Sequence, residues 1–70
     1  MRETYGEYTL VTFSGCCGSG GVGIEDAGGR ELHYPTPEGG TDLHLFPTDR
    51  EAKEWIDTGA DVADEFVWAS

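Results

Sequence analysis

The sequence lacks the features that define membrane and secreted proteins. It has no apolar run long enough to cross a membrane, and its first residues lack the charged and apolar regions of a signal peptide. We therefore expect a cytoplasmic protein with no membrane partner. The only two cysteines, Cys16 and Cys17, are adjacent and cannot link distant parts of the chain, so free thiols are the simplest interpretation.

Basic residues are also scarce. Lysine and arginine together number 4 against 14 aspartates and glutamates, which gives a net charge of -10 on 70 residues. Without a basic patch, direct binding to DNA or RNA phosphates is not expected. Repulsion among so many carboxylates opposes compaction unless a basic partner protein or molar salt compensates for it.

The length predicts one acidic domain, residues 1–70, near the lower size limit for a single apolar core. We expect such a domain to be marginally stable, or to form a homodimer that shares a core. A chain of this size has little room for a deep catalytic cleft, and no catalytic motif is present, so we expect a protein that is not an enzyme and needs no cofactor.

The most consistent local signals lie in residues 41–59. Leucines alternate with polar residues over 41–46, which predicts a strand, and Pro47 has no N–H to continue it. Thr48 and Glu51 form a capping box at the start of a helix. Ala52 and Trp55 belong to the apolar stripe of that helix, and a glycine at 59 suits the left-handed position after its end.

Other segments complete a sheet. Alternating, β-branched or aromatic residues predict strands at 7–14, 22–25, 30–34 and 65–69, the last in competition with a helical continuation over 61–67. The segment 35–40, with two prolines and two glycines, predicts the loop of a hairpin between 30–34 and 41–46. The expected fold class is α+β, a small antiparallel sheet of four to five short strands with one helix packed on one face.

A metal site is one hypothesis for the hairpin. A regular pairing places His33 opposite Asp42 and Glu31 opposite His44. All four then lie on one face of the hairpin, and the leucines and Tyr34 lie on the other. Two imidazoles and two carboxylates suit zinc or another divalent ion. The alternative is a solvated hairpin face, because the pattern has no tight ligand spacing and depends entirely on the register.

Residues 15–23 are rich in glycine and contain the spacing Gly18-x-Gly20-x-x-Gly23 after a strand. In dinucleotide-binding folds this spacing precedes a helix whose N-terminus holds the phosphates. No helical pattern follows here, so a flexible or bulged connection between strands is the favoured interpretation. Cys16 and Cys17 are also poor zinc ligands together, since zinc motifs separate their cysteines by two or more residues.

The distribution of charge gives the main functional hypothesis. On the helix, Asp49 with Lys53, Arg50 with Glu54, and Lys53 with Asp57 stand at i and i+4. No basic residue follows Lys53. We therefore predict a partner-binding segment whose five negative charges have no basic residue among them and can imitate nucleic-acid phosphates: Glu54, Asp57, Asp61, Asp64 and Glu65.

In size, in charge and in its lack of a catalytic motif, the chain resembles the small phage-encoded anti-defence proteins, anti-CRISPR proteins among them. The resemblance covers the whole chain, and it is compositional rather than carried by a signature. It implies an inhibitor that binds a basic, nucleic-acid-binding protein and blocks its DNA or RNA site. The alternatives are a housekeeping domain of a halophile, whose acidity is an adaptation to salt, and the small metal-binding domain described above.

Overall fold

The computed structural model of the protein describes residues 2–14, 20–60, 62 and 65–69. Over these residues the chain forms six short strands and one helix, in the order β1 (Arg2–Tyr5), β2 (Tyr8–Ser14), β3 (Gly20–Glu25), β4 (Glu31–Pro35), β5 (Thr41–Leu43), α1 (Asp49–Asp57) and β6 (Val67–Ala69). All pairings are antiparallel. The antiparallel sheet with one helix is confirmed, but the strands number six rather than four to five because β1 was not predicted.

The first three strands form a meander in which β2 lies between β1 and β3. Strand β4 has three partners. Glu31 pairs with both Glu25 and Ala69, and His33 pairs with both Leu43 and Val67. Since a strand has two edges, β6 occupies one edge of β4, while β3 and β5 share the other.

The segment after β5 crosses onto β3. The N–H of Val22 donates to the carbonyl of Phe46 and the N–H of Phe46 donates to that of Val22, both at 2.8 Å. The strand predicted for 41–46 therefore ends as a regular strand at Leu43. The N–H of His44 still donates to Leu32 of β4, whereas Phe46 pairs with β3. Gly21 makes this crossing possible, because a Cβ at its position would lie 2.8 Å from the Cβ of Leu45 and 2.9 Å from the carbonyl oxygen of Phe46.

Helix α1 packs on the face of the sheet that carries the buried core. The fully or almost fully buried side chains described are few: Leu10, Val22, Ile24, Leu32 and Ala52. Ala52 is the helical member, as the stripe predicted. On the opposite face, buried Gly21 and Gly23 lie beneath Leu45 and Phe13. No helix in the described ranges has the length and apolarity that a membrane span needs.

Both ends of α1 follow the predicted signals. The side chain of Thr48 accepts from the N–H of Glu51 at 3.2 Å. At the other end, Gly59 (φ 113) donates to the carbonyl of Ile56, and Ala60 donates to that of Trp55. This pair of hydrogen bonds is a Schellman motif, in which glycine takes the left-handed position without steric cost.

Two hairpins use the same five-residue turn. The turns are Asp26–Arg30 and Thr36–Gly40. In each, the N–H of the first residue donates to the carbonyl of the fifth, and the carbonyl of the first residue accepts from the N–H of the fourth. The fourth residue is a glycine with positive φ, Gly29 in one turn and Gly39 in the other. In each, the side chain of the first residue also accepts from the N–H of the fifth, at 2.8 Å for Asp26 and 3.2 Å for Thr36. Side-chain bonds of this kind are why Asp and Thr favour the start of a turn.

Candidate partner-binding surface

Every basic side chain of the protein is bound to a carboxylate of the same chain. Arg2 and Glu25 form a bidentate salt bridge with N···O distances of 3.0 and 2.9 Å, and Arg30 forms a salt bridge with Asp26 at 2.9 Å. The other two cations lie on the helix, where Arg50 contacts Glu54 at 3.4 Å and Lys53 has two carboxylate partners. The surface consequently carries no lysine or arginine that lacks an internal counterion.

Lys53 is the centre of a small cluster between the helix and β1. Its Nζ lies 2.9 Å from Glu3 and 3.8 Å from Asp49, and 5.6 Å from the centre of the Tyr5 ring. The hydrogen bond that Lys53 donates to Glu3 raises the pKa of Lys53. Tyr5 in turn donates its hydroxyl to both carboxylate oxygens of Asp57, at 2.8 and 3.0 Å, and this bond raises the pKa of Tyr5. The cluster therefore combines a cation, three carboxylates and an aromatic face.

The five residues of the predicted acidic segment have different environments. Glu54 lies on the exposed side of α1 and is paired with Arg50 as predicted. Asp57 is the last helical residue and binds Tyr5, so the predicted pair of Lys53 with Asp57 is wrong because Lys53 turns to Glu3. Glu65 is exposed just before β6. Asp61 and Asp64 lie outside the described residues.

Seven described carboxylates have no ion pair within the described part of the chain. Six of them are exposed and Glu31 is half-buried. They are spread over turns, both sheet faces and the helix: Glu7, Glu31, Glu38, Asp42, Glu51, Asp57 and Glu65. Carboxylates without an ion pair therefore extend well beyond the predicted acidic segment.

A continuous set of aromatic contacts, which the sequence did not predict, lies beside the helix. We call it the aromatic row. It consists of the rings of Tyr34, His44, Phe46, Phe66, Trp55, Trp68 and Tyr8. The centres of neighbouring rings lie 4.6 to 6.2 Å apart, from His44–Phe46 to Tyr34–His44. At the far end Tyr8 and Trp68 are stacked at 5.8 Å. These spacings are those of favourable aromatic pairs.

The row is partly accessible to solvent, since five of its rings also pack against the buried core. Tyr34 is 40% exposed, and the other six rings belong to half-buried residues. His44 lies near the exposed end, and burial lowers its pKa. The imidazole is therefore neutral at pH 7 and behaves as one more aromatic ring. The alternation of Phe66 and Trp68 in the sequence is the signal that could have revealed the row, because it places both rings on the helix side of β6.

The register of the β4–β5 hairpin separates the four residues of the proposed metal site. His33 pairs with Leu43 and Tyr34 with Asp42, one residue away from the predicted pairing. Glu31 and His33 therefore lie on one face, and Asp42 and His44 on the other. The prediction failed because five residues, 36–40, link the paired strands, with Gly39 in the left-handed region, whereas the predicted loop 35–40 has six.

No group of three or more histidine, cysteine, aspartate or glutamate side chains among the described residues is arranged to hold a metal ion. His33 binds the hydroxyl of Thr41 through Nδ1 at 3.1 Å, and its Nε2 is buried without a hydrogen-bond partner in the described structure. Cys16 and Cys17, and Gly18 of the glycine-rich segment, lie outside the described residues.

The described part of the chain contains no cavity. The features available for recognition are therefore the exposed carboxylates and the aromatic row. Comparisons with protein-family models, with curated proteins and with solved structures find no match to this chain.

Proposed function

We propose that this protein is a small acidic interaction protein that binds a basic, nucleic-acid-binding partner and blocks its DNA or RNA site, as an anti-CRISPR or other phage anti-defence protein does. The observation that carries the proposal is the internal pairing of all four basic side chains. A partner rich in lysine and arginine meets carboxylates without meeting a repelling cation. The same arrangement opposes direct contact with nucleic-acid phosphates.

The proposal predicts that carboxylates of the acidic segment contribute more to binding than carboxylates elsewhere. The test variant is Asp61→Asn, Asp64→Asn and Glu65→Gln. The control variant, Glu7→Gln, Glu31→Gln and Glu38→Gln, removes the same number of charges from the turns and from β4. Each variant is titrated into purified basic nucleic-acid-binding proteins, RNA-guided nucleases included, that carry fluorescent DNA or RNA. We expect the test variant to be at least about tenfold weaker as a competitor, and the control to change by about threefold or less, since removal of a charge outside the contact mainly alters long-range steering.

Equal weakening by the two variants would mean that only the total charge matters, and it would contradict the assignment of the segment. If the unaltered protein releases nucleic acid from none of these partners, the proposed function itself is contradicted.

A second candidate function is an ordinary domain of a halophile, and the spread of unpaired carboxylates over several elements favours it. The two functions predict different melting behaviour. The measurement is a thermal melt monitored by circular dichroism in roughly 20 mM salt, where charges are barely screened, and in roughly 2 M potassium chloride. For an interaction protein we expect a cooperative melt in both buffers. A protein that melts cooperatively only in the high-salt buffer would favour salt adaptation and contradict our proposal.

A further inference from the structure

We propose that the aromatic row binds arginine side chains of the basic partner, so that the partner's contact segment is rich in arginine rather than lysine. This inference rests on the proposed function and specifies the chemistry of its partner.

The protein holds one of its own cations in the same way. Lys53 lies over the face of Tyr5 while its charge is paired with Glu3 and Asp49. An aromatic face attracts a cation through its quadrupole, and neighbouring carboxylates add to that attraction. The combination of ring and carboxylate is thus already a cation site in this fold.

Three carboxylates neighbour rings of the aromatic row by strand pairing, by one helical turn or in the sequence. Asp42 pairs across the strands with Tyr34 and lies on the same face, Glu51 precedes Trp55 by one helical turn, and Glu65 directly precedes Phe66. All three carboxylates are exposed. Within the described part of the chain, no lysine or arginine lies over any ring of the row. A cation that binds the row must therefore belong to another molecule.

Arginine fits this surface better than lysine. Its planar guanidinium stacks on aromatic faces, bonds a carboxylate through two N–H groups at once, and is more weakly hydrated than the ammonium group of lysine. A row of adjacent rings flanked by carboxylates can receive several guanidinium groups of one segment. Arginine is also among the residues that contribute most to protein interfaces.

The test compares two peptides of equal length and charge, nona-arginine and nona-lysine. Trp55 and Trp68 are the only tryptophans in the chain and both belong to the row, so intrinsic tryptophan fluorescence reports on the row itself. In about 150 mM salt, we expect nona-arginine to change the emission and to bind about tenfold more tightly than nona-lysine, given the usual strength of cation–π contacts.

Two matched substitutions locate the effect. Tyr34→Leu removes an exposed ring of the row, and Phe13→Leu removes a ring that is 39% exposed and lies on the opposite face of the sheet. We expect Tyr34→Leu to weaken nona-arginine binding about threefold and Phe13→Leu to leave it unchanged.

Two results would overturn this inference in distinguishable ways. Equal affinity for the two peptides, or equal effects of the two substitutions, would overturn the role of the row while leaving the binding of a basic partner intact. Absence of binding by either peptide even in low salt would overturn the row and the proposed function together.

Discussion

Replacement of Gly21 by alanine is expected to destabilise the protein by roughly 2 to 3 kcal/mol, the upper part of the range for overpacking a closed site. The added Cβ would lie 2.8 Å from the Cβ of Leu45 and 2.9 Å from the carbonyl oxygen of Phe46. Neither atom is the end of a flexible side chain. The segment that crosses β3 must therefore move away, which weakens the two hydrogen bonds between Val22 and Phe46.

A loss of this size is large for so small a domain, whose total stability is expected to be only about 4 to 10 kcal/mol. Urea denaturation and thermal melting measure it, and the melting temperature should fall by about 10 to 20 °C. The control is Gly40→Ala, because a Cβ at position 40 meets only the hydroxyl of Thr36 at 3.7 Å. Equal stability of the two alanine variants would show that the chain does not cross β3 at Gly21.

The second large effect is expected for Leu32→Ala, at about 3 kcal/mol or more. Leu32 has no exposed surface, and it lies on β4, where β3, β5 and β6 all meet. Its carbonyl also accepts the N–H of His44 at 3.0 Å. Truncation removes buried apolar atoms and leaves a cavity beside three strands that are fixed by pairing to β4.

Val67→Ala is the matched control for Leu32, because Val67 pairs with β4 but is 37% exposed. We expect it to cost about 1 kcal/mol or less, since much of its surface already faces water. Both variants are compared by urea denaturation. If Leu32→Ala is no less stable than Val67→Ala, the core is not centred on β4. Leu32→Val supplies an intermediate truncation that remains measurable if the alanine variant is unfolded.

The elements that the sequence predicted are those with local signals. Alternation over β2, β3 and β4 and the capping residues of α1 involve neighbours a few positions apart, so they can be recognised without the fold. Strand β1 was missed because it has a single apolar residue, Tyr5, among charged and polar ones. The pair Gly6–Glu7 between β1 and β2, with Gly6 at φ 64, is a two-residue hairpin turn and was the available signal.

The surface was harder to predict because its contacts connect distant parts of the chain. Arg50 with Glu54 is an i,i+4 pair and was predicted correctly. In contrast, Arg2 reaches Glu25 across the meander, and Tyr5 reaches Asp57, the last residue of the helix. The aromatic row likewise joins residues of β2, β4, β6 and the helix. Only the three-dimensional fold brings such residues together.

The five-residue turn at Thr36–Gly40 has a consequence for how this scaffold can change. The number of residues that link two paired strands determines which face of the sheet each side chain of the second strand occupies. One residue more or fewer moves every side chain of the second strand to the opposite face. A linker shortened by one residue would bring Asp42 and His44 to the side of Glu31 and His33, away from Tyr34. A single codon deletion can thus take Asp42 and His44 away from the aromatic row and form a new surface of imidazoles and carboxylates with Glu31 and His33, without altering any of these four residues.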